Sequence, residues 1–524
     1  MKINIFKYIF FIILIFMIGI GIYILYKDEK KQNNKIENDE VEVNIINQLN
    51  IGVINFDTIN PILSYNRDIQ YIDKLIFNSL INITYDFKTE NSLAKEFSKI
   101  NPTTYIVKLK EDIYWHDGTK FTAKDVIFTI QNLKNDNIKS IYKENVKNIQ
   151  EAKQIDDYTI KIILTEEVPF FEYMMCIPIL ASHGYDEETL NYKTTVPIGT
   201  GKYKIMEIKD DTIKIEKADF KSEAKILKIN IIIKKSAKDL YTALIKNEID
   251  FMITDNIKYE EYIGKMGYNV NNSINRNFEY LVLNNKRKIL SDKKVRKAIS
   301  YAIDRQNINY EIYKNKYNIC DFPLDYGSYL FKVEDIFEYN INKSKSILIE
   351  DGWLYENNVW KKENNILALD LIVNQENENR MIVGEKIKKQ LNEIGVIINI
   401  VKVDNNRYNN YIKNKNYDMI LTGGIISNSP NLETYFGENN ISNFYSKEIM
   451  SILKETNNIE DKEILKEKYL IMQQIYKEEV PFISLYFNSI FVLTNVDLKG
   501  DLSHNWYNLY YNIDNWYKSE NKIK

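Results

Sequence analysis

The sequence predicts an α/β protein with more than one lobe. Predicted strands and helices alternate in the second half of the chain, as in βαβ units with a partly parallel sheet. The chain has 524 residues, far more than the roughly 100–200 of a single domain. No segment recurs at a period of about 20–50 residues, which argues against a solenoid or propeller. The alternating segments are residues 278–284, 368–373 and 396–401 as strands, and residues 292–303 and 382–394 as helices.

The first half of the body favours short strands broken by turn residues. One clear helix is predicted at residues 123–133, because apolar side chains recur there on one helical face and Thr122 is a good N-cap. A second, shorter helix is predicted at residues 239–246. The predicted strands are residues 43–47, 49–53, 105–109, 158–164 and 226–233, and residues 205–217 are rich in strand signals.

The chain begins with a hydrophobic segment. Residues 9–26 carry no charge, and about 20 apolar residues are enough to cross a bilayer core. Neither a small-residue cleavage site nor a cysteine for lipid attachment follows. We therefore expect residues 1–27 to be a retained membrane anchor and residues 28–42 a flexible polar stalk. A cleaved signal peptide is the alternative.

Composition excludes several function classes. The net charge of −3 lacks the basic excess that is typical of nucleic-acid-binding proteins, so we expect no nucleic-acid partner. The histidines, His116, His183 and His504, are scattered, which argues against a histidine-rich metal centre. Cys176 and Cys320 are too few and too distant for a disulfide framework. We predict no metal and no cofactor.

Enzyme motifs are not found. The sequence contains no G-x-S-x-G, no H-E-x-x-H and no C-x-x-C. Gly199-Thr200-Gly201-Lys202 is similar to the end of a phosphate-binding loop, but Val196 stands at the required upstream glycine and Tyr203 at the required Ser/Thr. The sequence therefore predicts a protein that is not an enzyme.

Seven separated segments resemble those of one protein family. They include an aromatic-x-Asp-Gly turn and Phe-Thr-Ala-x-Asp-Val helix start within residues 105–129, and the run Pro-Ile-Gly-Thr-Gly-Lys-Tyr at residues 197–203. The others are residues 240–251, 280–308, 344–353, 382–403 with 417–419, and 480–486. Their order and spacing resemble the family 5 extracellular solute-binding proteins, which are the oligopeptide- and dipeptide-binding components of bacterial ABC importers.

The resemblance implies a two-lobed fold like that of type II periplasmic binding proteins, with an additional inserted α/β domain and hinge closure. Lobe I would comprise residues 43–60, 185–272 and 487–524. The inserted domain would take residues 61–184 and lobe III residues 273–486, with hinges near residues 273–278 and 485–488. We expect a monomer on the outer side of the cell membrane that delivers its solute to ABC permease subunits.

The resemblance also places a peptide ligand in the cleft, extended and paired with backbone. The first implied segment is Ser64, Tyr65, Asn66 and Arg67. The second is Gly423, Gly424, Ile425, Ile426, Ser427 and Asn428, although Gly423 and Gly424 would equally suit an ordinary strand-end turn. Tyr486 at the second hinge is a further candidate for lining the cleft.

The second segment departs from the family pattern. Peptide binders have Trp-x-Ala-Asp there, and the aspartate pairs with the α-ammonium of the ligand. This chain has Gly424 in the tryptophan position and Ser427 in the aspartate position. The alternatives to an unmodified peptide are a modified peptide, a saccharide or a chelated metal. A surface-anchored sensor is the alternative to an importer component.

Overall fold

A computed structural model describes residues 43–185, 196–218, 224–332 and 338–521. The predicted anchor and stalk lie outside these residues. Among the helices that the structure describes, none has both the length and the apolar character needed to cross a membrane.

The segments predicted as strands from alternating apolar residues are confirmed with shifted ends, and the structure adds strands that the sequence pattern did not predict, among them β5, β7 and β23. In chain order they are β1 Val43–Ile46, β2 Gln48–Ile54, β3 Ile81–Ile83, β4 Thr89–Asn91, β5 Ala94–Asn101, β6 Thr104–Leu109, β7 Ile149–Asp156, β8 Thr159–Leu164, β9 Tyr203–Lys209, β10 Thr212–Lys217, β11 Lys228–Lys234, β12 Phe251–Thr254, β13 Tyr268–Leu283, β14 Asn318–Ile319, β15 Leu354–Glu356, β16 Val359–Lys362, β17 Asn365–Ile366, β18 Ala368–Asn374, β19 Ile397–Val403, β20 Met419–Ile425, β21 Phe482–Asn495, β22 Leu498–Lys499 and β23 Tyr517–Asn521.

The helices of nine or more residues begin at polar N-cap residues. In chain order they are α1 Arg67–Ile76, α2 Ala123–Lys134, α3 Lys143–Val146, α4 Ala237–Ile245, α5 Glu260–Ile263, α6 Lys293–Ala302, α7 Arg305–Tyr313, α8 Ile341–Glu350, α9 Glu378–Glu393, α10 Asn405–Asn414, α11 Glu433–Phe436, α12 Lys447–Thr456 and α13 Lys462–Glu479. The predicted helix at residues 123–133 is confirmed as α2. Helix α9 begins four residues before the predicted start, because Asn377 accepts a hydrogen bond from the Arg380 backbone N–H and caps it.

Two long strands, β13 and β21, form the centre of an eleven-stranded mixed sheet. The strand order is β19-β18-β20-β13-β21-β12-β2-β11-β10-β9, and β14 pairs with β21. Strand β12 pairs with residues 491–494 of β21, whereas β20 pairs with residues 277–283 of β13. Strands from the two halves of the molecule therefore attach to opposite ends of the same central pair.

The central ladder is irregular at its middle. The register of β13 against β21 shifts between Ile274 and Phe278, and again between Glu279 and Tyr280. These shifts fall in or beside the segments where the sequence placed the hinges. Strand β13 begins ten residues before its predicted start at Phe278. Its first half is rich in asparagine and has no alternating apolar pattern, but it pairs with β21 through backbone hydrogen bonds.

The remaining sheets and the buried residues form separate groups. Strands β5, β6, β7 and β8 make an antiparallel sheet in the order β5-β6-β8-β7, within the expected inserted domain. One buried apolar cluster joins strands β2 and β9–β12 with helix α1 and the C-terminal segment. Another contains Ile62 and Leu63 together with buried residues of segments 80–185 and 278–487. Helix α1, which the sequence division assigned to the inserted domain, packs with the lobe I strands.

The Gly199–Gly201 segment has a structural role. A Cβ at Gly199 would lie 1.9 Å from the Ile76 carbonyl oxygen, and the Gly201 N–H donates to that oxygen at 2.8 Å. This close approach of backbone to backbone requires glycine, and it explains the resemblance to a phosphate loop without any phosphate.

Candidate ligand cleft

The first predicted segment is a loop fixed from within lobe I. One carboxylate, that of Asp57, accepts hydrogen bonds from the Ser64 hydroxyl at 2.8 Å, the Tyr65 N–H at 2.7 Å and the Asn66 N–H at 3.3 Å. Asn66 caps helix α1 by accepting from the Asp68 N–H at 2.9 Å. Ser64 and Asn66 are thus occupied in holding the loop.

Tyr65 and Arg67 are the members of this loop that face solvent. The Tyr65 side chain is 60% exposed, and Arg67 lies 3.5 Å from the exposed carboxylate of Asp255. The loop is therefore a rigid platform that presents one aromatic and one cationic side chain.

The second predicted segment is the end of strand β20 and the turn after it. Ile425 is 74% exposed and Ser427 is also exposed, whereas Ile426 is buried. A Cβ at Gly424 would meet nothing within 4 Å, so there is open space beside it. At Gly423, by contrast, a Cβ would lie 2.4 Å from the Phe278 carbonyl oxygen and from Glu279 Oε1. Close packing on β13 therefore requires glycine at 423 but not at 424.

Strand β20 has a free edge over its last residues. Strand β18 pairs with β20 only at Met419 and Ile420, whereas β13 pairs with it as far as Ile425. On the side away from β13, Tyr408 Oη donates to the Leu421 carbonyl at 2.9 Å and Arg380 to the Gly423 carbonyl at 3.2 Å. Alternate residues direct their backbone groups to the same side, so the backbone N–H and C=O of Ile425 lie on this edge. Beyond Ile420, no strand in the described residues pairs with β20 on the side away from β13.

Arg276, on the irregular part of β13, holds the turn after β20. Its guanidinium donates to Asn428 Oδ1 and to the Ile426 carbonyl, and its own carbonyl accepts from the Ile426 N–H at 3.0 Å. The residue is only 8% exposed. Burial lowers the pKa of Arg276 to about 10, against the opposing effect of Asp325.

Trp506 connects Arg276 to the other parts of the molecule. The guanidinium carbon of Arg276 lies 3.9 Å from the centroid of the indole ring, and the indole Nε1–H donates to Asp325 Oδ1 at 2.7 Å. The ring of Trp506 also stacks on the ring of Phe87, with the two ring centroids 5.8 Å apart. Burial raises the pKa of Asp325 to about 6, although Arg276 and the Trp506 hydrogen bond oppose that rise. We call Arg276, Asp325 and Trp506 the junction.

Sequence reasoning did not find the junction. One signal was present, because Arg276 is in phase with the buried Phe278 and Tyr280 at period two along β13. A charged residue on a buried face requires partners. Asp325 and Trp506 carried no such local signal.

Tyr486 is buried rather than exposed to an open cleft. It is 3% exposed, its hydroxyl lies 2.7 Å from that of Tyr313, and its ring packs 5.5 Å from Tyr317. Burial raises the pKa of its phenol. In this state Tyr486 supports the central strand β21 from within lobe III.

A buried ion pair stands beside Tyr486. Arg380 binds both oxygens of Glu279, at 2.9 and 2.8 Å, with both side chains about six-sevenths buried. This pair fixes the start of helix α9 against β13, next to Gly423. The hydrogen bonds and ion pairs of the described residues do not join the loop at 64–67 directly to the segment at 423–428.

The described residues contain no cluster of three or more histidine, cysteine or acidic side chains suited to a metal ion. What the cleft does offer is a free strand edge, open space beside Gly424 and an exposed aromatic platform at Tyr65. Such an arrangement suits the binding of an extended chain by backbone pairing.

Comparisons with known proteins agree on one family. The family model described as bacterial extracellular solute-binding proteins, family 5 Middle, matches residues 88–443. The oligopeptide-binding protein AppA of Bacillus subtilis (strain 168) is 23% identical over 471 residues, which cover 85% of this chain and 87% of that protein. The nickel-binding protein NikA of Staphylococcus aureus is 26% identical over 286 residues, which cover 53% of this chain and 56% of NikA.

A solved structure gives the same fold. The oligopeptide-binding protein AppA from Bacillus subtilis, in complex with a nonapeptide, aligns with a TM-score of 0.58 at 21% identity. The alignment covers 91% of this chain and all of that structure.

Proposed function

The chain belongs to the bacterial extracellular solute-binding proteins of family 5, and from that premise we propose that it captures peptides or peptide-like solutes for an ABC importer. Its fold is that of a type II periplasmic binding protein, as the family resemblance predicted. The family is one of solute binding and not of catalysis.

The free edge of strand β20 carries the proposal. An extended ligand can add to it as a further strand, receiving hydrogen bonds from the Ile425 backbone while its side chains lie in the open space beside Gly424. Main-chain pairing gives affinity that is largely independent of ligand sequence. The AppA structure, whose ligand is a nonapeptide, supports a peptide as cargo.

The predicted site residues divide into two groups under this proposal. Those that face the ligand are Tyr65, Arg67, Gly424, Ile425 and Ser427. The others hold these in place from behind, and they are Ser64, Asn66, Gly423, Ile426, Asn428 and Tyr486. The exposure of Tyr65 and Ile425, and the internal hydrogen bonds of Ser64, Asn66 and Asn428, support this division.

We also propose that the cleft closes by bending at the middle of β13 and β21. The register shifts there interrupt the ladder, and strands of the two halves attach on either side of them. The division into lobe I, an inserted domain and lobe III remains as proposed from the sequence, with helix α1 better grouped with lobe I.

Native mass spectrometry of the full-length chain tests the cargo. We expect co-purified peptides of mixed sequence. A defined peptide recovered in this way is then resynthesised with a single N-methyl group at each backbone nitrogen in turn. Affinity should fall at alternate positions only, because each lost N–H···O bond contributes about 0.5–1.5 kcal/mol. A uniform small effect along the peptide would contradict strand addition.

A different solute is the second candidate. The likeness to NikA, a nickel-binding protein, favours a chelated metal over a saccharide. Elemental analysis of the same preparation decides between the two cargoes. Stoichiometric metal without peptide would exclude the peptide proposal.

The family supports an outward-facing protein that works with ABC permease subunits. We propose an outward-facing protein, acting as a monomer, that is held to the membrane by residues 1–27 and docks on permease subunits. N-terminal sequencing of membrane-extracted protein tests the anchor, since a mature start between residues 26 and 45 would show cleavage. Reconstitution with the permease distinguishes import from sensing.

A further inference from the structure

A second pocket lies between the expected inserted domain and lobe III. Its volume is about 490 Å³, within the range of roughly 300–1,000 Å³ that small-molecule sites occupy. One wall comes from strands β4–β6 and residues 170–173, and the other from Tyr329 and residues 456–465. The site residues proposed for the ligand cleft do not line it.

Lys99 joins the two walls. Its ammonium donates to the Asn457 carbonyl at 3.0 Å and to Asn458 Oδ1 at 2.9 Å, and it pairs with Glu167 at 3.0 Å. Asn457 is the C-cap of helix α12, where the helix dipole favours a cation. The charge of Lys99 is therefore already compensated by protein groups, and the lysine fixes the width of the pocket.

Aromatic rings form much of the lining. They are those of Phe97, Tyr105, Phe170, Tyr173 and Tyr329. The Tyr173 hydroxyl donates to the Phe87 carbonyl at 2.8 Å, which fixes that ring. Phe170 has a φ of +54°, in the left-handed region. Such a conformation costs a bulky residue about 1–3 kcal/mol and is found most often at binding sites.

A carboxylate faces this aromatic lining. Glu172 lies on the 3-10 turn Phe171–Met175 and lines the pocket. Loss of hydration raises its pKa, while its own backbone N–H, Lys99 and Lys462 act in the opposite direction. Lys462 also lines the pocket, and an ammonium brought in by a ligand would add a direct ion pair to the ionised carboxylate, while aromatic faces attract cations too.

We propose that this pocket binds a primary organic ammonium that carries an apolar or aromatic body. The ammonium pairs with Glu172, and the body packs on the rings of Phe97, Tyr105 and Phe170. The site is additional to the proposed ligand cleft and shares no residue with it.

Isothermal titration calorimetry on the full-length chain tests the proposal with three probes of one shape. They are 2-phenylethylamine, the neutral 2-phenylethanol and the anionic 3-phenylpropanoate. We expect the amine to bind and both others to bind at least about tenfold more weakly, because a charge-assisted hydrogen bond contributes about 1.5–3 kcal/mol. Undetectable binding of the amine, or equal binding of the alcohol, would overturn the proposal.

Glu172→Gln tests the assigned carboxylate. It should weaken amine binding about tenfold or more and leave alcohol binding unchanged. Glu166→Gln is the matched control, since Glu166 is exposed in the same part of the chain and does not line the pocket. Amine affinity that survives Glu172→Gln would show that the assignment is wrong.

A pair of variants at Ile100 keeps the test valid if Glu172→Gln fails to fold. Ile100 lines the pocket and is 60% exposed, so the fold should tolerate a charge there. Ile100→Lys should weaken amine binding and Ile100→Glu should strengthen it, each by about two- to fivefold. Effects of equal sign in both variants would contradict a cation site. Binding that responds instead to Ser427→Asp would place the amine in the ligand cleft.

Discussion

The two segments proposed to meet the ligand are held in opposite ways. The loop at 64–67 depends on Asp57, which lies within ten residues of it in the sequence, and on its own Asn66, which caps helix α1. The segment at 423–428 depends on Arg276, which belongs to the central strand and contacts Trp506 from the C-terminal segment. The first loop is therefore held by contacts that are local in the sequence, whereas the second is held by contacts between residues far apart in the chain. Ligand binding should accordingly be transmitted to the hinge through lobe III.

Arg276→Met tests the segment at 423–428, which is held by long-range contacts. The variant loses the hydrogen bonds to Ile426 and Asn428 and leaves Asp325 buried without its compensating charge. We expect the free energy of unfolding to fall by about 4 kcal/mol, measured by urea denaturation at neutral pH. Arg67→Met is the control, because Arg67 and Asp255 are both exposed, and it should change stability by less than about 1 kcal/mol. Similar losses in both variants would remove the distinction between the two segments.

Asp325→Asn removes the carboxylate charge from the junction and keeps the size of the side chain. The pKa of Asp325 is about 6 in the folded state, and its ordinary value is 3.8. Between pH 3.8 and pH 6 the folded state therefore keeps a proton on this carboxyl that the unfolded state has already released. The stability contributed by this group is thus present below about pH 4 and is lost as pH rises through 6. Relative to wild type, the variant should gain up to about 3 kcal/mol between pH 4 and pH 7.

Thermal or urea unfolding across that pH range measures this difference, and the asparagine can still accept the Trp506 hydrogen bond. A constant difference between variant and wild type would mean that Asp325 does not titrate there.

Asp57→Ala tests the loop at 64–67, which is held by local contacts. It removes the acceptor of three hydrogen bonds from Ser64, Tyr65 and Asn66. We expect a loss of about 2 kcal/mol in unfolding free energy. Spin labels on the lobes, one at Ser446→Cys and one at Lys238→Cys, should report the same lobe separation as in wild type, since the loop is held within lobe I. A changed separation would show that this loop also depends on closure.

Ser427→Asp tests the ligand end that meets the second segment. Wild type should bind a peptide and its N-acetylated form with similar affinity, because a hydroxyl supplies no charge to an ammonium. The aspartate should favour the free amine by about tenfold, with Ser427→Asn as the neutral control, all measured by calorimetry. A wild type that loses a hundredfold on acetylation would mean that another group supplies the charge.

Local sequence determined a large part of this protein. The family motifs, the Thr122-capped helix α2 and the strands with alternating apolar residues could be predicted, because each depends on residues within a few positions of one another. The Glu378 start of helix α9 was missed for a local reason, an asparagine cap that reasoning from apolar periodicity overlooked.

Only the tertiary structure decided the junction and the ammonium pocket. Arg276, Asp325 and Trp506 are far apart in the sequence, on the central strand, on a loop after β14 and in the C-terminal segment, and they meet only in the folded chain. Lys99 reaches Asn457 only because strand β5 lies beside the end of helix α12 in the folded chain. Local propensity acts over a few residues, whereas strand register and the packing of whole domains set contacts between residues hundreds of positions apart. The sequence alone therefore determined the family and those helices and strands that have a clear apolar pattern, and the structure determined which charged residues lie in contact.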